Sequence, residues 1–197
     1  MIDAMNVTDY NRTPDQLERF LMFCCAVAGK NALTTDKAFD RLVTWVEDNS
    51  EIHDRGTLLE WWGALCETKL ATPERLKSFG FGCYNHRYKT FYSLYKAKCE
   101  GFNFAFASTD DLETLPGIGM KTSRYFILHS RKNVPLAVLD RHVLRYLGEI
   151  GVENVPESTP TKPSEYLRLE KEFLKTVPRG KTPAQHDIDI WKLYRAE

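Results

Sequence analysis

No cysteine follows Cys99, and none of the five (Cys24, Cys25, Cys66, Cys83 and Cys99) forms a C-x-x-C pair. That argues against a disulfide framework and for buried thiols in a reducing compartment, the cytoplasm. Net charge is absent as well. The 27 basic and 27 acidic residues leave +0, so no global field draws the chain to nucleic acid, and any such attraction must be local. The longest apolar run, Phe20 to Ala28, falls well short of the roughly 18 residues a membrane span needs. The first residues, MIDAMNVTDYNRTP, carry acids and no apolar stretch, and do not read as a signal peptide. There is no internal repeat, no low-complexity tract and no convincing run of alternating strand residues. The five histidines have no paired spacing to other ligands, so no metal site is expected.

What is present is helical periodicity. Apolar residues make up 43% of the chain, enough for a real core. Thr13-Pro14-Asp15 starts a helix carrying Leu17, Phe20, Leu21, Cys24 and Ala28, apolar on more than one face and therefore central. A second starts near Thr35-Asp36 and ends at Asn49-Ser50, and a third spans Thr57 to Leu70. Thr72-Pro73-Glu74 caps a short fourth. From Tyr84 to Cys99 a helix turns Phe91, Leu94 and Tyr95 inward and Arg87, Lys89, Lys96 and Lys98 outward. Ser108 or Thr109 caps a short helix before a glycine turn, and the helix after that turn ends near Arg131-Lys132. Val134 to Leu139 is extended. Asp140 sits at the next helix start, a loop follows from Gly151 to Pro163, and Ser164 to Thr176 and the segment from Thr182-Pro183 onward are helical. The pattern predicts an all-α fold of nine or ten helices.

The chemistry concentrates between Leu115 and Arg145. In Leu-Pro-Gly-Ile-Gly, two glycines one residue apart precede a helix N-terminus, where exposed N–H groups and the helix dipole favour an anion. A DNA phosphate fits; a packing joint between helices is the plainer alternative. Between Met120 and Leu147 the basic residues are Lys121, Arg124, Arg131, Lys132, Arg141 and Arg145, against the single acid Asp140. That is a local excess of five positive charges, suited to phosphate, or else a solvated helical face. Lys121 falls in the first turn of the second helix, where the dipole disfavours a cation. A neutral amine there can attack a carbonyl-like carbon and form a Schiff base; a lysine that only contacts phosphate is the alternative. Asp140, 19 residues on, is either a plain N-cap or a carboxylate that stabilises positive charge on a deoxyribose and handles protons. The two roles are compatible.

LPGIGMKTS followed by AVLDRHVLR is similar to the signature of the helix-hairpin-helix (HhH-GPD) DNA glycosylase superfamily, the endonuclease III and 8-oxoguanine glycosylase group. GCYNHRYKTF at 82–91 resembles the Tyr-Asn-x-Lys/Arg helix of endonuclease III. FCCAVAGKNALTTDKAFDRL at 23–42 resembles the early helix–loop–helix whose turn enters the DNA stack. The resemblance is closest over 108–147, looser over 14–100 and faint after 150.

The resemblance implies a two-lobed helical fold with a central cleft. One lobe would be formed by residues 1–34 and 148–197, the other by 35–147 with the helix-hairpin-helix at about 109–131. It implies a base-excision repair enzyme that flips a damaged nucleotide out of duplex DNA, with Lys121 as nucleophile and Asp140 as its partner in a glycosylase with AP lyase activity. A glycosylase without lyase activity and a non-catalytic DNA binder remain as alternatives. Gly117, Gly119, Lys30, Asn31, Arg124, Arg141 and His142 would contact DNA; Phe81, Tyr84, Asp187 and Trp191 are candidates for the base pocket. Without cysteines after Cys99 the chain lacks the iron–sulfur loop of endonuclease III, which leans the substrate toward an oxidised purine, 8-oxoguanine. No cofactor is implied beyond a monovalent cation at the hairpin. The implied partner is double-stranded DNA containing a damaged base, bound by a monomer, with no membrane. The implied location is the cytoplasm, or the nucleoid in a prokaryote.

Overall fold

The computed structural model describes residues 2–3, 5–27, 32–49 and 56–195. Among them are ten α-helices and no strand: α1 (Pro14–Val27), α2 (Ala32–Asn49), α3 (Leu58–Glu67), α4 (Pro73–Ser78), α5 (Tyr84–Cys99), α6 (Thr109–Glu113), α7 (Met120–Ser130), α8 (Arg141–Glu149), α9 (Pro163–Thr176) and α10 (Pro183–Tyr194). No helix among the described residues is long and apolar enough to cross a membrane. The all-α expectation holds.

The chain divides into two compact units, Met1–Val7 with Arg12–Gly119, and Thr8–Asn11 with Met120–Glu197. The expected divisions at 34/35 and 147/148 are therefore not the ones observed. Helix α1 explains much of the difference. It buries Leu17 and every residue from Phe20 to Ala26, a surface apolar all round, and it packs on α2, α3 and α5 within the first unit. Only the short strap Thr8–Asn11 joins the second unit.

In the first unit Trp62 meets Phe91 edge-on with ring centres 6.1 Å apart, and Phe23 meets Phe39 likewise at 5.9 Å. One polar tie crosses this core. Lys98 Nζ donates to both Glu18 carboxylate oxygens at 2.6 and 2.7 Å and to Thr57 Oγ1 at 2.9 Å. Arg87, expected on the outer face of α5, is buried. Its guanidinium donates to the Ala26 carbonyl (Nε, 2.9 Å), satisfying an acceptor near the end of α1 that the helix itself leaves open. Helix α3 stops at Glu67, short of the expected Leu70. Lys69 turns into the left-handed region (φ 61) and the Leu70 and Ala71 N–H groups fold back onto the Leu65 carbonyl, both at 2.9 Å.

The second unit is built around Leu139, Val143, Leu144, Leu147, Tyr166, Leu169, Phe173 and Ile190. Its distinctive part is the extended run ahead of Asp140. Ala137, Val138 and Leu139 are buried with no strand beside them, so their backbone groups need other partners. Side chains supply them. Glu170 Oε1 accepts from Ala137 N (2.9 Å), Tyr166 OH donates to the Ala137 carbonyl (2.9 Å) and accepts from Leu139 N (3.2 Å), and Thr159 Oγ1 donates to the Leu139 carbonyl (2.7 Å). This scaffold fixes where Asp140 emerges.

Candidate active site

The hairpin distinguishes its two glycines. Gly117 has φ +89, and a Cβ there would lie 1.9 Å from Thr90 Oγ1. Both the turn and the close approach of α5 therefore require glycine at this position. Gly119 has no left-handed backbone and nothing within 4 Å of a Cβ. Its exposed face is open on the protein side. Ile118 N closes the turn onto the Leu115 carbonyl at 3.1 Å, and Ser93 Oγ donates to the Pro116 carbonyl at 3.3 Å.

In the second unit Lys121 is partly buried in the first turn of α7, and its ammonium meets no hydrogen-bond or ion-pair partner among the described residues. Asp140 caps α8. Its Oδ1 accepts from His142 N (2.8 Å) and Val143 N (2.9 Å). Both Lys121 and Asp140 act electrostatically on His142 and on Asp187, so these four groups share one neighbourhood. His142 is buried, and desolvation pulls its imidazole below the ordinary value, against the opposing pull of Asp140 and together with Arg141, Lys121 and Arg145. The neutral ring suits the bond it makes, accepting at Nε2 from Arg141 Nε at 3.3 Å.

The sequence matches no known protein-family model. Solved structures do resemble the chain. The 8-oxoguanine DNA glycosylase of Methanocaldococcus jannaschii superposes with a TM-score of 0.68 at 20% identity, over 95% of this chain and 81% of that one. The 8-oxoguanine DNA glycosylase of Thermotoga maritima gives 0.64 at 20% identity, over 98% and 84%. An endonuclease III trapped as a covalent DNA intermediate gives 0.62 at 20% identity, over 92% and 74%. The chain has the helix-hairpin-helix DNA glycosylase fold.

Within that glycosylase fold several expected site residues occupy other roles. Arg124, expected on DNA, is buried in an ion pair: its Nε lies 3.0 Å from Glu170 Oε1, with the two side chains 6% and 8% exposed, and its guanidinium lies over the Tyr166 ring at 4.8 Å. It supports the scaffold behind Asp140. Arg145 is tied to Glu149 at 2.8 Å, and Arg131 is half-buried, with desolvation lowering its proton affinity. The basic surface is thus smaller than the sequence suggests, with Arg141 and Lys132 exposed. Phe81, a base-pocket candidate, is buried edge-on against Phe91 at 6.2 Å and offers no open face. Tyr84 is partly exposed, with the Lys77 ammonium 5.5 Å from its ring centre. Trp191 is partly exposed beneath the Arg195 guanidinium at 5.2 Å. Lys30 and Asn31 lie outside the described residues. Among the described residues no group of three His, Cys, Asp or Glu side chains could hold a metal ion.

Sequence reading missed His129. It is fully buried on α7, its Nε2 is 3.2 Å from Asp187 Oδ2, and its Nδ1 is 2.8 Å from Thr8 Oγ1. Tyr125 packs edge-on against it at 5.0 Å. One signal was available: Lys121, Tyr125 and His129 stand at i, i+4 and i+8, and so share one helix face.

Proposed function

We propose that this chain is a DNA glycosylase with AP lyase activity that excises an oxidised base, 8-oxoguanine foremost, from duplex DNA. The carrying observation is Lys121: a partly buried ammonium without a partner among the described residues, on the helix that follows a glycine hairpin, acting with the α8-capping Asp140 on the same two neighbours, His142 and Asp187. The hairpin amides and the open face of Gly119 would take a DNA phosphate; in the second unit, Arg141 and His142 are further DNA contacts.

The flipped nucleotide would present C1′ to Lys121. The amine attacks as the glycosidic bond breaks, its electron pair leaving with the base, and the opened sugar becomes an imine on Nζ. Loss of a C2′ proton then expels the 3′ phosphate by β-elimination. The Asp140 carboxylate, held by two N–H groups, stabilises positive charge on the sugar during bond cleavage. The purine assignment rests on likeness to glycosylases named for 8-oxoguanine, one of them solved with DNA containing that base.

A panel of lesion-bearing duplexes tests the reading. Base release with strand cleavage at an oxidised purine is expected. Binding without base release on every lesion would contradict it and favour a non-catalytic DNA binder, and base release without cleavage would remove the lyase step.

A further inference from the structure

The reaction just described needs the Asp140 carboxylate in one place. Its backbone N–H closes back onto the Val138 carbonyl at 2.7 Å, a three-residue turn with Leu139 at its centre. Leu139 is fully buried, so its own N–H and carbonyl need partners. Two hydroxyls take them. Tyr166 OH accepts from Leu139 N at 3.2 Å, and Thr159 Oγ1 donates to the Leu139 carbonyl at 2.7 Å. The same Tyr166 hydroxyl donates to the Ala137 carbonyl at 2.9 Å. One OH group thus ties two of the three residues ahead of Asp140 to α9.

We propose that Tyr166 and Thr159 are positioning residues for Asp140: their hydroxyls set the Leu139 peptide, and through it the direction in which the Asp140 carboxylate leaves the backbone. The inference rests on the reading above, in which that carboxylate stabilises positive charge on the sugar as the glycosidic bond breaks. Both hydroxyls act through the backbone and take no part in bond making. Stabilisation of this kind depends on a group already in place, because a charge that must swing into position gains less in the transition state. A misplacement of about 1 Å can cost about 100-fold in rate.

Three features support the assignment. Asp140 is held from both sides: Oδ1 is fixed to the start of α8 by the His142 and Val143 N–H groups, and the turn fixes how α8 leaves the extended run. Tyr166 is itself immobilised. It is fully buried, with the Arg124 guanidinium over its ring at 4.8 Å. Arg124 pairs in turn with Glu170 at 3.0 Å, and Glu170 Oε1 accepts from Ala137 N at 2.9 Å. Ring, ion pair and extended run therefore form one closed set. Burial, finally, raises the proton affinity of the Tyr166 phenol, so its hydroxyl remains a donor to Ala137 and an acceptor from Leu139 throughout the working range. Thr159 reaches the turn separately, from the loop between α8 and α9, and is only half-buried. A tyrosine that merely filled the core would need its ring and one partner for its hydroxyl, not two bonds to the residues that lead into Asp140.

The test is single-turnover base release and duplex affinity for wild type, Tyr166→Phe, Thr159→Val and Thr159→Ser, well below their melting ranges. The substrate is the lesion duplex that wild type processes fastest, 8-oxoguanine being expected. Tyr166→Phe removes only the hydroxyl and should slow release about tenfold, part of what a 1 Å misplacement costs. Thr159→Val should slow it about fivefold, and Thr159→Ser, which keeps the hydroxyl, should restore the rate. Affinity should stay within about twofold of wild type, because the lost interaction serves the transition state and not binding. A double-mutant cycle with Asp140→Asn, which keeps an oxygen for the cap, isolates the route: in that background Tyr166→Phe should cost nothing further. A deficit that recurs in full beside Asp140→Asn, a loss carried by affinity instead of rate, or folded variants within about twofold of wild type overturns the proposal. If Tyr166→Phe does not fold, an unchanged rate in Thr159→Val overturns it by itself. If wild type releases no base from any lesion, the glycosylase reading fails and this proposal with it; if wild type releases base and the hydroxyl variants match it, only this proposal fails.

Discussion

Replacing Arg124 by methionine separates a scaffold role from a DNA-contact role. The methionine keeps much of the side-chain length over the Tyr166 ring but removes the charge. Glu170 is then left 8% exposed with no cation, still accepting from Ala137 N. Breaking one partner out of a buried ion pair costs about 3–5 kcal/mol, because the remaining charge stays desolvated. For a chain of this size each kcal/mol moves the melting midpoint by roughly 2–4 °C, so the drop should be about 6–20 °C. Adding Glu170→Gln should recover much of the loss, since a neutral amide still accepts from Ala137 N. Calorimetry on the single and double variants, with DNA affinity measured well below the melting range, gives the result. A stability loss within about 0.5 kcal/mol, the range of exposed surface substitutions, together with a tenfold loss of DNA affinity would refute the scaffold argument and return Arg124 to the DNA surface.

The remaining predictions concern the hairpin and the buried titrating groups. Gly117→Ala should cost about 1–3 kcal/mol in chemical denaturation, from left-handed strain and the clash with Thr90. Gly119→Ala should stay within about 0.5 kcal/mol of wild type while weakening duplex binding in gel shifts; equal effects at both positions would contradict the distinction. His142 and His186 both have imidazoles lowered by burial, so the unfolded chain binds more protons in acid. Their stabilising contribution is complete above the ordinary value of 6.5 and is lost as pH falls below it. His142→Gln should flatten melting-point dependence between pH 7 and 5. Asp187 has the opposite sign: its raised folded value means that ionisation costs stability as pH rises above 3.8. Asp187→Asn should therefore melt at or above wild type at pH 7; a clear destabilisation there would contradict the desolvation argument.

The local grammar of the chain was largely legible. Asp140 caps α8, Ser108 caps α6 and Thr182-Pro183 opens α10, because capping is decided within three or four residues. Helix α5 runs over its expected span. What sequence could not convey depended on distant partners. Arg87 is buried because the carbonyl end of α1 needs a donor, and Arg124 because Glu170 waits on α9; on either helix alone, each arginine looks like a surface charge. Phe81 looks like a stacking residue until Phe91 is seen to cover it. The unit boundary followed the all-round apolar surface of α1 instead of the pairing of chain ends. His129 acquires meaning only when α10 brings Asp187 to it and the strap brings Thr8.

The central claim is that the Lys121 amine forms a covalent bond with the sugar. Borohydride reduction during reaction with an 8-oxoguanine or abasic duplex, followed by digestion and mass spectrometry of the cross-linked peptide, measures this directly. The account predicts a DNA adduct on the peptide containing Lys121, absent in Lys121→Ala. An adduct mapped to another lysine, or an undiminished adduct in Lys121→Ala, would contradict it.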